Sequence, residues 1–293
     1  MSAALAPAAP AAGGSTWRPK VEPMAALAVP GVGYMLVVFA APLLVLLVSS
    51  LYGPDGLGFD GYRRILGDPY YHGVIWNSVR LGLGTTLIAL VLGYPAAFAL
   101  ARARGYVQVL LFTLIFLPLT VSIIVKTFGL TLLFRRDGPV NWALMGLGFT
   151  DAPIRLVFTE FSLFVGMVNV FLPFMILPIY SVVRMIDGRL TDAAACLGAS
   201  PVYRFTHVVL PLSLPGIIAG VSLTFSLAVA AYVTPSLLIG DRFMTMSRVM
   251  AKSYLNLRDF QLGSSMAVLL LLIAIAVILA SAWLSQRFSY RER

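Results

Sequence analysis

The chain has 293 residues, of which 59% are hydrophobic and only 11% charged. A soluble domain carries about 25% charged residues, so the composition excludes a water-soluble enzyme or binding module and indicates one integrated helical membrane domain. The net charge of +9 does not point to nucleic acid. The basic residues are scattered between apolar blocks and form no stripe that would track phosphates, whereas basic residues flanking apolar spans are usual at a lipid bilayer. Cys196 is the sole cysteine and His72 and His207 the sole histidines. That set allows no intrachain disulfide and too few ligands for a zinc cage.

Residues 1–22 are rich in Ala, Pro and Gly and then polar, a composition that buries no core and predicts a disordered tail. The tail is not expected to be a signal peptide, because the apolar block behind it starts late, runs long and lacks a cleavage site. Stretches free of Asp, Glu, Lys and Arg fall at 23–54, 81–101, 105–125, 161–183, 205–240 and 260–286. A helix needs about 20 apolar residues to cross the hydrocarbon. Six transmembrane spans are therefore expected, at about 25–51, 76–101, 107–133, 161–185, 212–239 and 262–287. The third keeps Lys126 near one end. The fifth uncharged stretch is too long for one span, and Pro211 and Pro215 place the helix start there, since proline is tolerated in a first turn. An even number of spans puts both termini on one side. Taking that side as cytoplasmic leaves ten basic residues inside and nine outside, a margin too narrow for the positive-inside rule to fix the orientation.

Between spans four and five lies a polar connector, residues 184–211. Thr191 is a candidate helix cap, with Asp192 in the first turn where a negative charge suits the helix dipole. Ala193, Ala194 and Ala195 favour helix. Gly198 can close that helix in a left-handed conformation. Ser200 then caps a second helix whose first residue is Pro201. The expected product is a helix–turn–helix on the membrane surface with small residues exposed, a shape suited to docking in a partner's cleft. By local chemistry alone, an ordinary amphipathic connector explains it as well.

The spacing adds more. Asp192-Ala193-Ala194, three residues, Gly198 and then Leu210-Pro211 resembles the EAA loop of ABC importer permeases, with Asp in place of Glu. The carboxylate is kept with a reach one methylene shorter. The resemblance covers about 23–290 and is closest to the spermidine/putrescine permease subfamily of type I importers. It is carried also by Leu92-Gly93-Tyr94-Pro95, Pro153-Ile154-Arg155, Leu172-Pro173-Phe174-Met175, the run Pro211 to Gly220, and Tyr232-Val233-Thr234-Pro235. It implies an all-α integral membrane fold of six spans, the type I ABC importer permease fold, with a cytoplasmic coupling helix in the 186–211 loop. Both termini would then be cytoplasmic and the chain would sit in a bacterial inner membrane. The ATPase-coupling residues it implies are Asp192, Ala193, Ala194, Gly198, Ala199, Ser200, Pro201, Leu210 and Pro211. The implied partners are a second, related permease subunit, two ATPase subunits that bind ATP and Mg, and an external solute-binding protein. This chain would hold no cofactor, and the implied cargo is a polyamine or related small amine.

The residues agree with borrowed energy. Lys20, Lys126 and Lys252, the only lysines, follow Pro, Val and Ala, so none ends a phosphate-binding loop, which needs Gly-Lys-Ser/Thr. The rival reading is an ion-coupled secondary transporter, which would hold acids or histidines at membrane depth. All twelve acidic residues fall outside the six predicted spans. A membrane enzyme lacks any constellation of His, Asp or Glu at that depth. A different small solute, such as an organic anion or an amino-acid derivative, stays open.

Five residues are candidates for the pathway. Asn169 and Tyr180 lie eleven apart on span four, about three turns, and are expected to share a face. Tyr232 lies in span five. Arg80 and Lys126 lie near the outer ends of spans two and three. Against these roles stand interhelical hydrogen bonding for the first three and snorkelling to the interface for the two cations. Gly216 and Gly220 form a small-xxx-small pair that predicts close helix packing.

Overall fold

The computed structural model describes residues 23–53 and 56–289, with side chains described from Pro30 to Trp283. The predicted tail, 1–22, lies outside the described residues. Contacts divide the chain into two units, residues 1–45 and 46–293. The first contains most of α1 (Pro23–Leu51), which carries no charged residue. Most of the described side chains of α1 are exposed.

In the second unit a two-residue hairpin, β1 (Tyr52–Gly53) and β2 (Gly56–Leu57), leads to α2 (Asp60–Gly67). Helix α3 (Pro69–Arg102) is opened by Asp68, whose side chain accepts the amide of Tyr70 at 2.9 Å, and by Pro69 in its first turn. Then come α4 (Gly105–Thr120), α5 (Ile123–Leu133), α6 (Pro139–Gly146) and α7 (Glu160–Met185). Helices α8 (Gly188–Cys196) and α9 (Pro201–Arg204) form the connector. A π turn, Phe205–Val209, joins α9 without interruption to α10 (Leu210–Ala230). Helices α11 (Val233–Leu238), α12 (Met246–Lys252) and α13 (Phe260–Ser289) complete the described chain.

Helix α7 is the spine, with α3 and α10 packed along it. Leu81, Leu163, Met167, Phe171 and Ala228 make one apolar cluster, and Ala89, Ala97, Leu100, Ile176, Ile179 and Val183 another. Packing is close because glycines sit in the seams. A Cβ on Gly216 would lie 2.9 Å from the carbonyl oxygen of Pro178, and one on Gly220 would lie 3.0 Å from that of Met175. The small-xxx-small pair therefore brings α10 onto the backbone of α7. A third cluster, with Ile65, Val74, Met246, Leu262 and Met266, ties α2, α3, α12 and α13 together.

Among the described residues, five helices are long and apolar enough to cross a membrane, and six if one bent pair counts as a single span. The fourth expected span is α7 to within a residue. The third, expected as one helix over 107–133, is the bent pair: α4 and α5 meet at 101°. Val121 and Ser122 are extended there, with ψ of 134° and 138°. The fifth, expected at 212–239, instead runs from Pro201 to Ala230. It begins earlier because the π turn carries the helix through: the amide of Leu210 bonds the carbonyl of Phe205, one residue beyond the α-helical partner, just ahead of a Pro211 that has no amide to give. It ends earlier because Pro235 has no amide and its ring would strike the carbonyl of Ala231 in a continuous helix. The chain breaks at Ala231, with ψ of 130°, and restarts as α11. Helix α3 starts seven residues before the expected span, and its 34 residues make a rod of about 51 Å, longer than the hydrocarbon of about 30 Å.

Candidate functional site

The connector after α7 is built by local bonds. The cap of α8 is Asp187, whose carboxylate accepts the amide of Arg189 at 2.9 Å. It is not Thr191, as expected, since Thr191 lies inside the helix and its hydroxyl donates to the carbonyl of Gly188. Asp is as good a cap as Thr, and the helix starts at the earlier of two competent sites. The other end follows the sequence reading. Gly198 has φ of +82°. Its amide donates to Ala195, and that of Ala199 reaches back to Ala194 at 3.0 Å. This pair of bonds is the Schellman closure, which satisfies carbonyls the helix end would leave bare. Ser200 then accepts the amide of Tyr203 at 3.2 Å, with Pro201 in the first turn of α9.

The turn presents an apolar tip to solvent. Leu197 is 89% exposed, and Val202 and Tyr203 are exposed beside it. Asp192 and Ala193 are exposed too, and Asp192 makes no ion pair among the described residues. Below the tip, the ring of His207 stacks on Tyr203 at 4.0 Å. The base is anchored by Phe205, whose ring meets Tyr94 and Phe98 of α3 edge-on at 5.8 and 6.2 Å. Tyr94 also bonds Ser213, at 3.0 Å. Sequence reasoning missed Asp187 and Phe205. An Asp directly before Gly188-Arg189 was a readable cap, whereas the partners of Phe205 come from more than a hundred residues away. Leu210 and Pro211 sit within the continuous helix, and so belong to the stem of the connector rather than to its tip.

The five pathway candidates do not converge. Asn169 and Tyr180 share α7 but not an environment. Tyr180 is buried among Ala97, Leu100, Leu111 and Ile115 of α3 and α4, and its hydroxyl accepts from Arg184 at 2.8 Å. Asn169 is exposed. Tyr232 lies in the break between α10 and α11, not in a span, and lines a hollow of about 180 Å³ with Asp241, Arg248 and Lys252. Arg80 pairs with Glu160 at the start of α7. It follows Pro69 by eleven residues, about 16 Å along the helix, so the first turns of α3 project past the level at which α7 begins. Lys126 is half-buried on α5, away from any ion pair among the described residues. Among the described residues no cluster of three or more His, Cys, Asp or Glu could hold a metal ion.

Comparison with known proteins places this architecture. Residues 89–291 match the family model described as binding-protein-dependent transport system inner membrane component. The chain is 33% identical to the spermidine/putrescine transport system permease protein PotB of Escherichia coli (strain K12) over 263 residues, covering 87% of this chain and 95% of that protein. It is 34% identical over 234 residues to the protein of the same name from Haemophilus influenzae, covering 78% and 82%. Among solved structures, it superposes on a chain of the bacterial alginate ABC transporter in complex with alginate pentasaccharide-bound periplasmic protein. The TM-score is 0.73 at 18% identity, over 90% of this chain and 94% of that one.

Proposed function

Because this chain belongs to the family of binding-protein-dependent transport system inner membrane components, a multi-pass and non-catalytic part of ABC importers, we propose that it is a permease subunit of a polyamine importer and that its connector is where an ATPase pushes. The observation that carries the second half is the Schellman turn at Gly198. It holds α8 and α9 in one fixed shape with the apolar Leu197 and Val202 outward, a surface that water does not favour and a partner's cleft does. The coupling residues are Asp192, Ala193, Ala194, Gly198, Ala199, Ser200 and Pro201, with Leu210 and Pro211 at the stem.

The connector faces the cytoplasm, and with six spans so do both termini. Two ATPase subunits bind ATP and Mg, and this chain binds neither. One connector per chain calls for a second permease, a related subunit rather than a copy. Solute arrives from an external binding protein.

The polyamine half is supported by the relatives' names, at 33% and 34% identity over 87% and 78% of this chain. Among described residues, the membrane-crossing helices carry a single carboxylate, Glu160, and Arg80 neutralises it. Within the membrane an amine cargo therefore meets aromatic faces on this side, and its carboxylates come from the second permease.

The test is uptake of labelled spermidine into vesicles holding the complete complex and its binding protein. Uptake should survive collapse of the ion gradients and stop when ATP is withheld. Uptake that follows the gradients makes the chain a secondary transporter. ATP-dependent uptake of an organic anion or an amino-acid derivative, with spermidine ignored, keeps the coupling and overturns the cargo.

A further inference from the structure

Where α5 ends, a cavity of about 650 Å³ opens between the segment 128–137 and the loop 155–158 leading into α7. Three arginines line it, Arg135, Arg136 and Arg155, together with apolar Phe128, Leu132 and Phe158. One carboxylate accompanies them: Asp137, 3.5 Å from Arg135. Among the described residues, Arg136 and Arg155 enter no ion pair. Three like charges round one opening repel one another, and the fold nevertheless holds them there by two devices.

The first is Asn141, which is fully buried. Its amide nitrogen donates to the carbonyl of Arg135 at 3.0 Å and to that of Ile154 at 2.9 Å, and its oxygen accepts the amide of Ile154 at 3.0 Å. One side chain thus clamps the two arginine-bearing segments together. The second is Phe158, whose φ of +61° is a conformation that bulky side chains rarely take. Its amide is fixed to the carbonyl of Leu238 at 3.1 Å, and its ring stands 5.9 Å from the guanidinium of Arg155. Beside the clamp, Trp142 is 79% exposed and Phe149 74% exposed. Side chains of this kind settle at the headgroup level of a bilayer.

We propose that this cavity holds the phosphate headgroup of an anionic phospholipid. Guanidinium forks match phosphate oxygens in pairs, while Phe128 and Leu132 continue the exposed apolar face of α5 and accompany the acyl chains. A free phosphate makes no use of that apolar half. An acidic protein loop leaves Trp142 and Phe149 in water. By the orientation proposed above, the lipid belongs to the outer leaflet.

The full-length chain, purified in non-ionic detergent and offered equal amounts of phosphatidylglycerol and phosphatidylcholine of the same chain length, reports the site by native mass spectrometry. Phosphatidylglycerol should be retained preferentially. The preference should fall about fivefold for each guanidinium lost in Arg136→Gln/Arg155→Gln, the usual weight of one cation at an anionic surface. Arg136→Lys/Arg155→Lys should keep most of it, and Arg63→Gln, which does not line the cavity, should keep all of it. Asn141→Ala removes the clamp and no charge, and it should lower the preference as well, which covers the case in which the double glutamine variant does not fold. Equal retention of both lipids by the unmodified chain overturns the proposal, as does an undiminished preference in the glutamine variant. Displacement of the lipid by millimolar inorganic phosphate assigns the cavity to a free anion. Loss of binding-protein association in the glutamine variant, with the lipid preference unchanged, assigns it to an acidic protein. Lipid retention is read without transport, so its outcome is separate from the identity of the cargo.

Discussion

Gly198 shows how much one backbone angle decides. Its φ of +82° lets Ala199 reach back to Ala194 and turns the chain sharply enough for Ser200 to cap α9. No atom stands within 4 Å of where its Cβ would be, so the constraint is conformational and not one of space. A β-branched side chain there opposes the left-handed conformation by about 1–2 kcal/mol, enough to straighten an exposed turn whose apolar tip makes few contacts. Gly198→Val is therefore expected to leave the chain in the membrane in normal amount while the ATPase no longer copurifies with it; normal recovery of the ATPase, with normal uptake, would count against the docking role. This residue was legible in the sequence because caps, glycines and prolines speak through local chemistry. Asp187 was equally local and was passed over in favour of Thr191. The Arg135, Arg136 and Arg155 cluster was not legible, since it depends on a buried Asn141 bridging the carbonyls of Arg135 and Ile154, far apart in the chain, and nothing in a run of apolar and basic letters marks such a bridge.

At the scale of elements, α10 lies on α7 through backbone rather than side chains. Gly216 faces Pro178 and Ile179, and Gly220 faces Met175. Widening both positions forces the helices apart or moves α7 itself, at about 1–3 kcal/mol for each overpacked site. Gly216→Leu/Gly220→Leu should lower the melting temperature in detergent, and it should do so much more than Glu160→Gln. That second change removes an exposed ion pair, and such pairs contribute about 0–1 kcal/mol. Equal melting of the two variants would mean that the seam is looser than the distances imply. The fourth span was read to within a residue because Glu160 and Arg184 bracket α7 at its two ends. They were read poorly where the chain bends without changing polarity. Val121-Ser122-Ile123 is as apolar as the helices on either side, so hydropathy runs straight through a right-angle turn, and Pro118 was the one visible warning. The break before α11 had a better signal in Pro235, whose missing amide and ring make Ala231 the last place a continuous helix can hold.

For the whole molecule, motion and energy belong to different chains. The isolated protein is expected to hydrolyse no ATP, and turnover in a preparation free of ATPase subunits would remove it from its proposed place in the complex. What the chain supplies is a stiff path from its exposed tip to its core. From Pro201 to Ala230 the helix is continuous, and Phe205, wedged against Tyr94 and Phe98, ties its lower end to α3. The π turn within that rod is in effect one residue of extra phase. Deleting Thr206 should relax it to plain α-helix with no rotation beyond it, because the amide of Leu210 keeps the carbonyl of Phe205, now four positions back, as its partner. Gly216 and Gly220 would still face α7. Deleting Leu212 from the regular helix just beyond should instead turn both glycines about 100° away from α7 and lower the melting temperature in detergent, whereas the Thr206 deletion should leave it nearly unchanged.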